Sequence, residues 1–109
     1  MKLLDGLHVI YYNKGDVIVH ENEHGNHFYI IEEGHVECYK HDEETGGDKF
    51  VRNLGPLDYF GELALIKDAS KRTLSVKALD RVKCLVISRK SFIYYLYEFK
   101  NELKNYFSV

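Results

Sequence analysis

The sequence predicts a mainly β fold, an eight-stranded jelly-roll barrel with a short helix and a C-terminal helix. Three observations carry that expectation. Short runs rich in Val, Ile, Tyr and Phe recur with turn residues between them. The apolar period changes once, near Arg89, to helical spacing. The chain has 109 residues, enough for one modest core and too few for two.

The strand runs follow in order. HVIYY, VIVH and FYIIEE are separated by NKGD and ENEHGNH, and HVECYK and KFVRNL are separated by EETGGD. In that last turn the Gly46-Gly47 pair suits a hairpin that needs positive φ. LSVKAL and KCLVIS resume the alternation. From Arg89 to Val109, Phe92, Leu96, Phe99 and Leu103 fall at helical spacing, with Tyr95 and Tyr106 nearby, so one side of a helix is apolar. Ser88 or Ser91 is placed to cap its start. The helix aromatics are expected chiefly in the core. Tyr94, Tyr97, Tyr106 and Phe107 have two further uses open to them, covering a ligand or docking on a partner. Residues 1–109 thus form one domain, with a barrel over 1–88 and a helical segment over 89–109.

Hydrophobic residues make up 45% and charged residues 29%, with a net charge of -2. That composition suits a folded globular chain and argues against disorder. No Lys/Arg block is present to neutralise a polynucleotide, so nucleic acid is not an expected partner. No apolar run is long enough to span a bilayer and no secretory pattern opens the chain, so membrane insertion is not expected and a cytoplasmic location is. Cys38 and Cys84 lie in strand-like runs without CxxC spacing and read as buried, reduced thiols.

The chemistry concentrates in residues 60–76, FGELALIKDASKRTLSV. Gly61 permits a sharp turn, and Glu62, Leu63, Ala64, Leu65 and Ile66 favour one short helix whose unpaired N–H groups would face an anion. Arg72 returns after the polar KDASK loop with a forked cation suited to phosphate oxygens. Glu62 would be unfavourable beside a polyphosphate, yet as an acceptor it suits a sugar hydroxyl. One carboxylate, one helix start and one arginine describe a ligand whose phosphate and sugar are compact and adjacent, a cyclic nucleotide.

FGELAL followed by an Arg-Thr-x-Ser segment resembles the phosphate-binding cassette of the cyclic nucleotide-binding domain family. KGDVIVHENEHGNHFYIIEEGHVECY and FVRNLGPLDYFGELAL are similar to the family's early strands and to its run into the cassette, so the likeness covers nearly the whole chain. The resemblance implies that Glu62 takes the ribose 2′-hydroxyl and Arg72 the cyclic phosphate, with backbone from Gly61 through Leu63 to Ala64 completing the cradle. It also implies that the ligand is cGMP, with cAMP as the weaker alternative. Thr73 stands where a hydroxyl reaches the guanine 2-amino group in cGMP-selective members. Arg52, beside Val51 in the VRNL strand, stands where an arginine contacts the guanine edge. The parent then resembles a cGMP-dependent serine/threonine protein kinase, and the use of Lys, Asn and Tyr hints at an apicomplexan type.

Three residues depart from the family pattern. Lys71 replaces a frequent Pro and loosens the loop, Leu74 is bulkier than the usual Ala, and Asn22 replaces a Gly where the left-handed region is visited. No kinase signature stands in this chain. The expectation is therefore a non-catalytic, cofactor-free regulatory module acting allosterically on a kinase catalytic domain beside sister nucleotide-binding domains. The six histidines raise a rival of another class, a metal-dependent cupin-like enzyme. His24 and His27 flank a Gly-Asn turn without the HxH and following glutamate that such a site needs, so no metal is expected.

Overall fold

The computed structural model describes residues 2–4, 6–66 and 70–107. Its strands are β1 (Lys2–Leu4), β2 (Leu7–Tyr12), β3 (Val17–Val19), β4 (His24–Gly25), β5 (His27–Glu33), β6 (Val36–His41), β7 (Asp48–Leu54) and β8 (Tyr59–Phe60). The short helix α1 (Leu63–Ile66) follows, then β9 (Ser70–Lys71), β10 (Ser75–Ala78), β11 (Val82–Ser88) and the long helix α2 (Arg89–Phe107). One antiparallel sheet runs β1-β2-β11-β5-β8 and a second runs β3-β10-β6-β7, while β4 and β9 form a separate ribbon.

The mainly β expectation holds, with two corrections. Among the described residues there are eleven strands rather than eight, and the two sheets stay separate instead of closing into one barrel. The short strands β1, β4, β8 and β9, which no apolar run announces, have two or three residues each. Segments that short show no apolar period, and only a partner across the ladder makes them strands.

Side chains alternate as strand geometry requires. On β5, Tyr29 and Ile31 are buried, and on β11 Val82, Cys84 and Val86 are buried. From the second sheet, Val19, Val36, Cys38, Val76 and Ala78 join them in one core. Both cysteines are free and buried, and burial pushes the Cys84 thiol up to about 11. The β6–β7 hairpin turns through Gly46 at φ 75°, and Asn22 takes φ 71°, as its place in ENEHGN suggests.

Ser88 is the cap of α2, because its hydroxyl accepts from the Ser91 N–H at 3.2 Å. Contrary to expectation, Leu96 and Phe99 of the apolar stripe of α2 are not core. Leu96 is 53% and Phe99 56% exposed, with Tyr94 and Tyr97 more so. The helix packs against β11 and α1, while Ile93, Tyr94, Leu96, Tyr97 and Phe99 are exposed. The side chains of Leu103, Tyr106 and Phe107, and residues 108–109, lie outside what the structure describes.

Ile31 is fully buried between the sheets, so Ile31→Ala is expected to cost about 2–4 kcal/mol, read as a lower urea midpoint at unchanged slope. Asp80 accepts from the His35 backbone N–H at 2.7 Å and lies 2.8 Å from His35 Nδ1. The His35 side chain, then its backbone N–H, hold the Asp80 carboxyl below the usual carboxylate range. A carboxyl depressed on folding stabilises above its unfolded value, and that contribution disappears as pH falls through the folded one. Asp80→Asn is expected to flatten the acid limb of a stability–pH curve.

Candidate functional site

Residues from both ends of the cassette and from the second sheet enclose one cavity of about 220 Å³. Arg52, Glu62, Lys71, Arg72 and Thr73 supply its polar wall, and Val19, Cys38, Leu54, Phe60, Leu74 and Val76 its apolar floor. The floor is the core seen from one end. The site therefore sits where the sheets part rather than in a loop added outside them.

Arg72 is half-buried and its seat is built from four sides. Nη2 donates to the His27 carbonyl at 2.9 Å, and the guanidinium carbon lies 5.9 Å from the centre of the Tyr29 ring. Tyr29 is itself held by stacking on Phe60, with ring centres 4.7 Å apart. Two glycines leave the room. A Cβ on Gly25 would lie 2.5 Å from Nη2, and one on Gly61 would lie 2.8 Å from Nη1 and 2.8 Å from the His27 carbonyl oxygen. The backbone is pinned as well, since the Arg72 N–H donates to Glu23 O and the Asn22 N–H donates to Arg72 O, both at 2.8 Å.

Gly61 has φ +82°, which a side chain would strain. The chain turns there and α1 begins two residues on, at Leu63 rather than at the glycine. The Ala64 N–H donates to Gly61 O and the Leu65 N–H to Glu62 O, both at 3.0 Å. The Ala64 amide is thus engaged within the turn. A helix of four residues also adds little dipole, so the charge available to an anion comes chiefly from side chains. Glu62 is exposed at the cavity wall.

Arg52 reaches the cavity through a bulge. Cys38 on β6 faces Arg52, but Tyr39 faces Phe50, so the register skips Val51. Directly opposed residues share a face, and Cys38 is buried inward; Arg52 is therefore turned inward too. The extra residue lets Val51 pack against the same core. Burial pushes the Cys38 thiol up, with Arg52 pulling the other way.

Of the residues singled out from sequence, Gly61, Glu62, Leu63, Arg72, Thr73 and Arg52 line the cavity together. Val51 does not line it, and neither does Ala64, which is the fully buried residue of α1. Lys71, considered only as a departure in the loop, lines it as well, and so does Tyr59, which is 57% exposed. No local period places Lys71 there, since β9 ends at Lys71 and the chain bends at Thr73, so the fold alone brings both to the wall. Residues 67–69 of the KDASK loop lie outside the described residues. A second, smaller cavity of about 170 Å³ flanks Arg72 on its other side, with His20, His24 and His27 on its wall. His27 is held below its usual value, first by its own desolvation and then by Arg72. Among the described residues no group of three or more His, Cys, Asp or Glu is placed to hold a metal ion. No described helix is long and apolar enough to cross a membrane.

Residues 9–97 match the family model of the Cyclic nucleotide-binding domain. The chain is 43% identical over 91 residues to a cAMP-dependent protein kinase regulatory subunit of Candida albicans, covering 84% of this chain and 18% of that protein. It is 37% identical over 91 residues to human cGMP-dependent protein kinase 2, covering 84% of this chain and 12% of that one. The co-crystal structure of the regulatory domain of Toxoplasma gondii PKA with cAMP superposes at TM-score 0.74 and 33% identity, covering 93% of this chain and 38% of that chain. The chain thus spans less than two fifths of these relatives.

The two glycines beside Arg72 make separable predictions. Gly25→Ala is expected to leave the melting temperature nearly unchanged while displacing the guanidinium, which weakens anion binding. Gly61→Ala, strained at positive φ and meeting the backbone of His27, is expected to lower stability by about 1–2 kcal/mol in a urea titration.

Proposed function

The chain belongs to the cyclic nucleotide-binding domain family, and we propose that it is a cGMP-binding regulatory module of a cGMP-dependent protein kinase. One observation carries this reading: Arg72, held between Gly25 and Gly61, shares a cavity with Glu62, Thr73 and Arg52. A fixed guanidinium suits the cyclic phosphate, and a solvent-facing carboxylate suits the ribose hydroxyl. The cavity is smaller than the ~300–1,000 Å³ of most small-molecule clefts. A compact sugar phosphate would fill it and leave the base toward the mouth, where Tyr59 offers an aromatic face.

The choice of guanine rests on Thr73 and Arg52. A hydroxyl accepting from the 2-amino group and an arginine donating to O6 and N7 both favour guanine, and a well-formed arginine pair discriminates by roughly 1–3 kcal/mol. The relatives include cAMP- and cGMP-dependent kinases alike. A cAMP-selective module is the second reading, favoured by the 43% identity to a cAMP-dependent regulatory subunit. In either case the module is non-catalytic, and its output is a change in how α2 packs on α1 and β11, no larger than the ligand's differential affinity for the two packings.

Calorimetric titration with each nucleotide tests the proposal. Tighter binding of cGMP is expected, and a preference for cAMP would overturn the guanine reading. Arg72→Ala is expected to remove most binding of both. Thr73→Ala should weaken cGMP by about five- to tenfold while leaving cAMP nearly unchanged; equal losses would refute its selectivity role.

A further inference from the structure

The cavity carries more positive charge than a single phosphate requires. Among the described residues its wall holds three cations, Arg52, Lys71 and Arg72, against one carboxylate, Glu62. The described ion pairs are His35–Asp80 and Lys83–Glu32, and none of the three cations takes part in either. Like charges gathered on one part-desolvated wall repel, and an entering anion relieves that repulsion.

Lys71 is not there by accident of a loose loop. Its strand β9 pairs with β4, His24 opposite Lys71 and Gly25 opposite Ser70. The next residue is held on both sides by the bonds from Arg72 N–H to Glu23 O and from Asn22 N–H to Arg72 O. Arg72 turns toward Gly25 and His27, and Lys71 and Thr73, one residue to either side, are both exposed on the cavity wall. A lysine on a pinned backbone, two residues from Thr73, is a built feature of the wall.

We propose that Lys71 is a second anion-recognising residue, which makes the cavity select a charged nucleotide over the neutral nucleoside of the same base. The inference rests on the nucleotide reading above and adds a residue and a selectivity to it. Lys71 has a mobile stem and stays part-solvated, so it contributes as a point charge at the cavity mouth and its effect is screened by salt. Arg72, deeper and hydrogen-bonded, is screened less.

The test uses the 109-residue chain, titrated with cGMP and with guanosine at about 50 mM and about 500 mM NaCl. Lys71→Gln is expected to weaken cGMP about fivefold at low salt and by less at high salt, with guanosine binding as in the unaltered chain. Lys71→Arg, which keeps the charge, is expected to restore cGMP binding, and matching thermal melts show that the fold is intact. A loss under about twofold at low salt, a loss independent of salt, or failure of Lys71→Arg to restore binding each overturns the inference. If the unaltered chain binds neither cGMP nor cAMP, the nucleotide reading fails and takes this inference with it. If it binds cGMP and Lys71→Gln binds equally well, only the role of Lys71 is lost.

Discussion

The site depends on how one guanidinium is seated. Arg72 donates to the His27 carbonyl and lies over Tyr29, in space that exists only because residues 25 and 61 lack a Cβ. Those partners come from β4 and β5, which follow one another almost directly, and from the turn before α1, which is distant from both in sequence. The cation therefore meets the β4–β9 ribbon, the first sheet and the cassette turn at once. A side chain held this way spends its ordering entropy on folding and not on ligand capture, which is the physical meaning of a preorganised anion site.

The second sheet contributes through an irregularity. Without the skipped register at Val51, strict alternation would turn one of Val51 and Arg52 away from the interior. The bulge lets Val51 fill the core while Arg52, opposed to the buried Cys38, joins the wall. An arginine beside a buried thiol would be costly in a closed core. Here the cavity leaves it exposed, so its charge is kept without full desolvation.

The C-terminal helix is joined to this scaffold at its start. Ser88 caps it, and the Arg89 N–H donates to Asn26 O at 2.7 Å, next to the residue whose carbonyl holds Arg72. Farther along, Leu96, Tyr97 and Phe99 are exposed.

Much of this was legible in the chain. The alternation of Tyr29 and Ile31, or of Val82, Cys84 and Val86, announces strands because side-chain direction follows a period of two regardless of partner. FGELAL with Arg72 and Thr73 announces the cassette because glycine, carboxylate and guanidinium at that spacing have few other joint uses, and the family match bears out the resemblance. What only the tertiary structure decided lies in contacts between distant segments. These are the short strands β4 and β9, the bulge that turns Arg52 inward, the engagement of the Ala64 amide, the exposure of Leu96 and Phe99, and the arrival of Lys71 on the cavity wall. Local sequence sets backbone preference and periodicity, whereas pairing, register and burial depend on which surface the rest of the chain brings opposite, and no short window of residues contains that information.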